Sequence, residues 1–492
     1  MTTPSATPGP LAMLGSAATP GPGAAAVTRA AATKAPRRSP TDLTITFADE
    51  ATVRERVAAA GEPDWLLADR LAALSRAVAL PVETNRLYTL YVDLRNADLA
   101  GVRPYVASAA AVARSGDAAS HLPDGADGLI ELHEDAVPVC VLSDAARTAG
   151  VRLEPLAALA PRDADRFRAV IEGGAILPDD EKLAQLVRAL WTSGIHLDVP
   201  AGVVLDRPIV MRTSAGVPGR AVISRTVITL GAGARAAIVE DLEPSGPQIG
   251  CAAGEPVPQA LHLATTEVRL GADAELTFAS LQDFTTGTVA FQTRCSELGD
   301  RATLHWALAQ VGGRVAKSRV DNRLVGDGSS VEQVEIVFGS DDQLFDLTSY
   351  TRHIGRDTTG NLLSKAAMLD RSRAYIKGLT SIEKSAHGTD SFLGEFGMLL
   401  SKESRSVTIP SLEIDQPDCR RAGHASSVGP IDVNQLFYLE SRGIDPDAAR
   451  KFIVLCFLEP VVARIPRAEE RERLRSVLEE KWAAANPAVV AA

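Results

Sequence analysis

The sequence predicts a mainly β protein: a parallel β-helix core flanked by N-terminal and C-terminal helical segments. Helical spacing of apolar residues is confined to the two ends of the chain, and between about Gly194 and Gly429 short runs rich in Val, Ile, Thr and Leu replace it. Within that stretch a local phrase recurs: Leu230-Gly231 with Ala234, Leu270-Gly271 with Ala274, Leu298-Gly299 with Ala302, and Val325-Gly326 with Ser329, the glycines 40, 28 and 27 residues apart. A unit of two or three short strands and a glycine turn cannot bury an apolar face alone, but stacked units can. The tight corners between faces need residues that tolerate positive φ, and Gly326-Asp327-Gly328 is such a corner. A sandwich or barrel joined by irregular loops is the competing architecture.

Taken in order, residues 1–41 hold no acidic side chain and are dominated by Ala, Pro, Thr, Gly and Ser, too few large apolar groups to offset chain entropy. They read as a disordered tail. Arg29, Lys34, Arg37 and Arg38 give it the composition of an organelle transit peptide, the alternative to an Ala-rich bacterial extension. Residues 42–194 form a helical or mixed domain. Its first helical pattern runs from about Asp49 to Leu80, with Leu67, Leu71, Leu74 and Val78 at spacings of three and four, Pro63 near the start and Pro81 as the stop. A second helix carries Leu183, Leu186, Val187 and Leu190 on one face, with Asp179 or Asp180 as cap and Gly194 as a left-handed stop. Residues 82–160 show no clear period. The β core spans 195–430.

Residues 431–492 return to helix. Asp432 is placed to cap the first, with Gln435 completing a capping box and Gly443 ending it. Asp445-Pro446 opens a second, expected to bury Ala449, Phe452, Ile453, Cys456 and Phe457 before Pro460. A third begins near Arg467, with Leu474, Val477, Leu478 and Lys481 on one stripe and Glu469 four residues before Arg473.

Composition narrows the function. Lys and Arg number 51 against 62 Asp and Glu, a net charge of -11, which argues against a nucleic-acid binder needing a basic face. Even the most apolar region, Val222 to Val239, carries Arg225 and Arg235, so no membrane span is expected. The cysteines stand at 140, 251, 295, 419 and 456, no two closer than 37 residues, which fits neither a disulfide framework nor a CxxC motif. A reducing, cytoplasmic setting is the expectation, with a plastid as the alternative should the tail be a transit peptide.

Several motifs invite a chemical reading. Gly231 to Ala236 fits the dinucleotide pattern GxGxxA after a strand, but Pro244 leaves too little chain for the phosphate-cradling helix. Asp341, Asp342 and Asp346 could pair as acid and base in a carbohydrate-active β-helix enzyme, although an aspartate-rich turn explains them more simply. His305, His353 and His387 stand alone in strand-like sequence and read as wall residues. Cys419 and His424, five residues apart among Glu413, Asp415 and Asp418, are donors suited to iron or zinc, but two ligands do not close a site.

The same region carries a family likeness. Ala422-Gly423-His424-Ala425, Val428 to Asp432, Gln435 to Leu439, Ser441 to Ile444 and Ala448-Ala449 resemble the C-terminal signature of the SufB/SufD iron-sulfur assembly family. His196 to Val203 with Asp206 to Ile209 resembles that family's entry into its β body, and Glu62 to Leu66 with Arg70 resembles the N-terminal helix of its SufD branch. The SufB branch has Glu-His-Glu-Ala-Thr where this chain reads Ala422 to Ser426, and it has further cysteines. The resemblance implies a right-handed parallel β-helix and a non-catalytic scaffold subunit, without a Walker motif, in a complex with SufB and the SufC ATPase. It places His424 at the SufB interface as a candidate metal ligand for iron or a transient iron-sulfur cluster; Cys419 is a weaker candidate that rests on its spacing alone, since the family pattern carries no fixed cysteine there. It assigns the C-terminal helices, here Leu436, Phe437, Tyr438, Arg442 and Gly443, to the ATPase dock. Reduced flavin accompanies some complexes of the family, and no flavin motif stands in this sequence.

Overall fold

The computed structural model describes residues 39, 41–105, 122–134, 138–177, 181–245 and 258–485. The tail of residues 1–38, Asp179, Asp180 and Cys251 lie outside the described residues. Ahead of the core come α1 (Glu50–Ala60), α2 (Asp64–Ala79), β1 (Arg103–Pro104), β2 (Gly128–His133), β3 (Val139–Leu142), α3 (Asp144–Thr148), β4 (Arg152–Pro155), α4 (Leu156–Arg162), α5 (Ala164–Glu172) and α6 (Lys182–Leu190). The helical pattern from Asp49 to Leu80 is two helices, because Gly61 turns left-handed and Pro63 starts the second. Gly194 is not a helix stop. The α6 helix ends at Leu190, and Gly194 lies in the next strand, where a Cβ would sit 2.6 Å from Leu156 Cδ1.

Eight coils follow, each with one strand in either of two sheets. They pair β5 (Ser193–Val199) with β6 (Ile209–Ala215), β7 (Arg220–Leu230) with β8 (Arg235–Pro244), β9 (Ala260–Leu270) with β10 (Glu275–Gln282), and β11 (Thr288–Leu298) with β12 (Thr303–Gln310). Then come β13 (Val315–Leu324) with β14 (Ser330–Gly339), β15 (Leu344–His353) with β16 (Thr359–Met368), β17 (Arg373–Ile382) with β18 (Asp390–Leu399), and β19 (Arg405–Ile414) with β20 (Arg421–Pro430). Odd-numbered strands from β5 on stack in one sheet and even-numbered strands from β6 on in the other, all parallel. Antiparallel β3 and β4 finish the two sheets at the N-terminal end. This is the stacked-coil architecture, and the sandwich or barrel is set aside.

The recurring glycines are its corner. A Cβ on Gly271 would fall 2.8 Å from the Ala232 nitrogen one coil back, and on Gly326 2.1 Å from the Asp300 nitrogen, so successive turns touch through backbone. Gly355 continues the series, 2.4 Å from the Gly326 carbonyl by the same measure. Two residues on in each turn the backbone is left-handed, at Gly233, Asp273, Arg301, Gly328, Asp357 and Gly388. Each of those N–H groups donates to a carbonyl of the following coil at 2.7–2.8 Å, from Gly233 to Ala272 down to Gly388 to Asp418. Hydrogen bonds offset the strain of holding Asp and Arg at positive φ.

Alternate side chains of each strand point into the coil or out of it. Inside, Ile238, Phe278 and Trp306 stack in register, and the Trp306 indole donates to Asn322 Oδ1 at 3.0 Å. Outside, the odd sheet is covered by α2 and α6 over Ile223, Leu263 and Phe291. The even sheet is covered by α8 (Pro446–Val462) and α9 (Ala468–Ala485), reached through α7 (Val433–Glu440).

The C-terminal helices correct three expectations. The α8 helix continues through Pro460 and buries Ala449, Val454, Leu458, Val461 and Val462; Phe452 and Cys456 are exposed, and Ile453 and Phe457 half-buried. Asp432 accepts from the Asn434 N–H at 2.8 Å, and Gln435 gives its backbone N–H to the Asp432 carbonyl, without the reciprocal side-chain bond of a capping box. Arg473 pairs with Asp241 and Glu243 on the even sheet, while Glu469 pairs with Arg467.

Candidate functional site: the open end of the β-helix

The last coil is unlike the others. Among the described residues no strand pairs with β19 or β20 on the side away from β17 and β18. Burial collapses there: five of the ten residues of β18 are buried, whereas β19 and β20 have no buried residue. A row of backbone N–H and C=O groups is thus offered along the edge, a template for another strand.

His424 is the fourth residue of β20, exposed, and in register with Leu393 of β18. Leu393 belongs to the inward-facing set, so His424 tops an interior file and reaches solvent because, among the described residues, no ninth coil covers it. Cys419 lies in the turn before β20, half-buried. The strand begins at Arg421, and three residue rises of about 3.3 Å carry the imidazole roughly 10 Å beyond that turn. By that backbone measure Cys419 and His424 stand apart.

One residue near this end drew no notice in the sequence. Glu395 of β18 faces inward, fully buried, directly beneath exposed Ser426. Its Oε2 accepts the N–H of Ile409 on the last coil at 2.8 Å, while Oε1 has no hydrogen-bond partner. A Cβ on Gly378 would lie 2.6 Å from that Oε1 and 2.7 Å from Leu393 Cδ2, so only glycine lets the carboxyl pack this close to β17. Burial pushes the carboxyl up to about 8, against the Ile409 hydrogen bond. The available signal was an acid at the inward parity of Leu393 and Gly397.

The α7–α8 hairpin forms a second exposed feature. Val433 is 73% exposed, Phe437 71% and Tyr438 57%, with Phe452 on the neighbouring helix at 56%. Arg442 stacks on the Tyr438 ring at 5.0 Å, and Gly443 provides the left-handed turn between the helices. Leu436 is half-buried. The aromatic side chains therefore do not pack against the β-helix.

Residues 211–457, from β6 into α8, match the family model for the SUF system FeS cluster assembly SufBD core domain. The chain belongs to the SufBD family. It is 26% identical to the iron-sulfur cluster assembly protein SufD of Bacillus subtilis, over 85% of this chain and 94% of that one. It is 27% identical to an iron-sulfur cluster assembly SufBD family protein of Staphylococcus epidermidis, over 60% of this chain and 62% of the relative. A SufBD family protein of Mycobacterium leprae is 27% identical over 54% of this chain and 30% of its own length. The SufBD match takes in His424, Glu395 and the hairpin as far as residue 457.

The remaining sequence candidates become structural within this SufBD fold. Gly231 to Ala236 is a coil corner followed by β8, not a helix. Asp341 occupies a left-handed turn and half-buried Asp342 pairs with Arg371 at 2.7 Å. Asp346 is fully buried in β15 between Lys317 at 3.2 Å and Lys377 at 2.8 Å; burial alone would raise its pKa, but the two ammonium groups hold it below the usual range. The three form no open carboxylate cleft. His305 contacts Glu332 at 3.4 Å, and His387 lies between Gln416 and Asp418. His353 gives or takes a hydrogen bond with Thr358 at 2.8 Å, burial lowering its pKa to about 4. Among the described residues no helix is long and apolar enough to cross a membrane.

Proposed function

We propose that this chain is a SufD-like, non-catalytic subunit of the SUF assembly machinery, working in the cytoplasm. Its open coil end joins a SufB-like partner, and iron acquisition and cluster assembly take place where His424 meets ligands from that partner. The SufC ATPase docks on the α7–α8 hairpin and supplies ATP hydrolysis in trans. The observation that carries this reading is the position of His424, exposed on a terminal strand whose outer edge has no partner strand among the described residues.

The chemistry supports it. A cluster needs about four thiolate or equivalent ligands. Among the described residues no group of three or more His, Cys, Asp or Glu side chains is arranged to hold a metal ion, so the reading requires donors from a second chain. Strand addition at the edge would fix the partner's register and so bring its donors to the imidazole.

The test is anaerobic co-expression of SufB-like and SufC partners with the wild-type chain, with His424→Ala, and without the chain. The expected result is an intact complex with reduced iron content for His424→Ala. Equal iron content in all three preparations would overturn the reading.

A further inference from the structure

The assembly reading makes His424 the chain's own donor and leaves the rest of the shell to a partner. The open end holds one more group that its surroundings leave unused. Glu395 is fully buried, yet Oε1 has no hydrogen-bond partner, and an unpaired buried carboxyl oxygen is costly. Its position is fixed from two sides: Oε2 is held by the Ile409 N–H of the final coil, and Oε1 lies against Gly378, where a Cβ would fall 2.6 Å from it and 2.7 Å from Leu393 Cδ2.

Register relates this oxygen to the imidazole. Leu393 pairs with His424 and Glu395 with Ser426, so Glu395 is the diagonal neighbour of His424 on the adjacent strand. Diagonal neighbours lie about 7–8 Å apart at their backbones, a gap that long side chains close. Both side chains project to the interior side of the coil. The route from solvent is short, because the residue above Glu395, Ser426, is itself exposed.

We propose that Glu395 is a second donor of the site at the open end, so that His424 nitrogen and Glu395 oxygen together hold a divalent transition cation on this chain before a partner completes the shell. One imidazole and one carboxylate suit borderline cations such as ferrous iron, cobalt or zinc, with water in the remaining positions. The proposal rests on the reading of His424 as the metal-facing residue and extends it: the chain alone can be loaded, and the partner then takes over a cation already in place.

The test is anaerobic titration of the full-length chain with Co²⁺ alone, followed by its visible d–d absorption and by calorimetry. Wild type, His424→Ala, Glu395→Gln and Glu335→Gln are compared, the last altering an interior carboxyl on β14. Glutamine keeps the acceptor for Ile409, and circular dichroism with thermal unfolding verifies the fold of each variant. Should Glu395→Gln misfold, Glu395→Asp serves instead, since a donor one carbon shorter shifts the d–d band without removing the charge. The expected result is one Co²⁺ per wild-type chain, affinity lowered 10- to 100-fold with a changed band for Glu395→Gln, loss for His424→Ala, and no change for Glu335→Gln. Wild-type affinity and band in Glu395→Gln, with loss in His424→Ala, would overturn the role of Glu395 and leave the His424 reading standing. Equal binding by all four would overturn both, and no binding by wild type would overturn the loading of the isolated chain.

Discussion

The hairpin offers the sharpest separation of packing from docking, through the single substitution Phe437→Ala. A phenylalanine has on the order of 200 Å² to bury. At 71% exposure, roughly 60 Å² of the Phe437 side chain touches its own chain and about 140 Å² is free. At about 25 cal/mol per Å² the intramolecular share stabilises the fold by about 1.5 kcal/mol, whereas the free share offers a partner up to about 3.5 kcal/mol. Measured aromatic anchors at interfaces cost about 2 kcal/mol or more when truncated. Phe437→Ala should therefore weaken binding of SufC to this chain by roughly 30- to 400-fold while costing no more than about 1.5 kcal/mol in stability. Isothermal calorimetry with purified SufC and urea unfolding of the same variant read the two quantities. Unchanged SufC affinity, with or without a stability loss, would refute the assignment of this surface.

Three further outcomes follow from the interior. Asp346→Ala should destabilise the chain by about 3–5 kcal/mol, because it leaves the buried ammonium groups of Lys317 and Lys377 without their shared carboxylate; the urea midpoint reports it. Glu335 has its pKa raised to about 7 by burial, so its contribution is complete below the unfolded carboxyl value and is lost as pH rises through about 7. Glu335→Gln should match wild type near pH 4 and be the more stable of the two at pH 8, a divergence visible in thermal melts. Gly326→Ala drives a Cβ to 2.1 Å from backbone and should cost about 3 kcal/mol or prevent stacking, whereas Gly233→Ala, with open space but φ of 68°, should cost about 1 kcal/mol.

The corner could be read from the sequence because its glycines are compelled by backbone meeting backbone, which no other residue allows. Of the left-handed file two residues later, Gly328 was legible as part of a corner, whereas Asp273, Arg301 and Asp357 were not, since the hydrogen bonds relieving them come from the next coil. The buried face of α8 was misassigned for a different reason. Apolar residues line both sides of that helix, so periodicity locates two stripes and not the one turned toward the even sheet. His424 stood out through its motif, while Glu395 did not, because a lone acid in a strand ordinarily faces water. Only the pairing of β18 with β20 shows that its parity points inward.

The bare rim at β19 and β20 also bears on how the chain must be produced. Two unsatisfied strands with a half-open interior form a cohesive end, and a second copy of the same molecule is the nearest thing able to seal it. Homotypic sealing would compete with the intended pairing in proportion to concentration. On the proposed pairing, a cell that made this subunit in excess of its partner would favour the like-with-like dimer, so balanced synthesis would matter as much as any side chain of the rim.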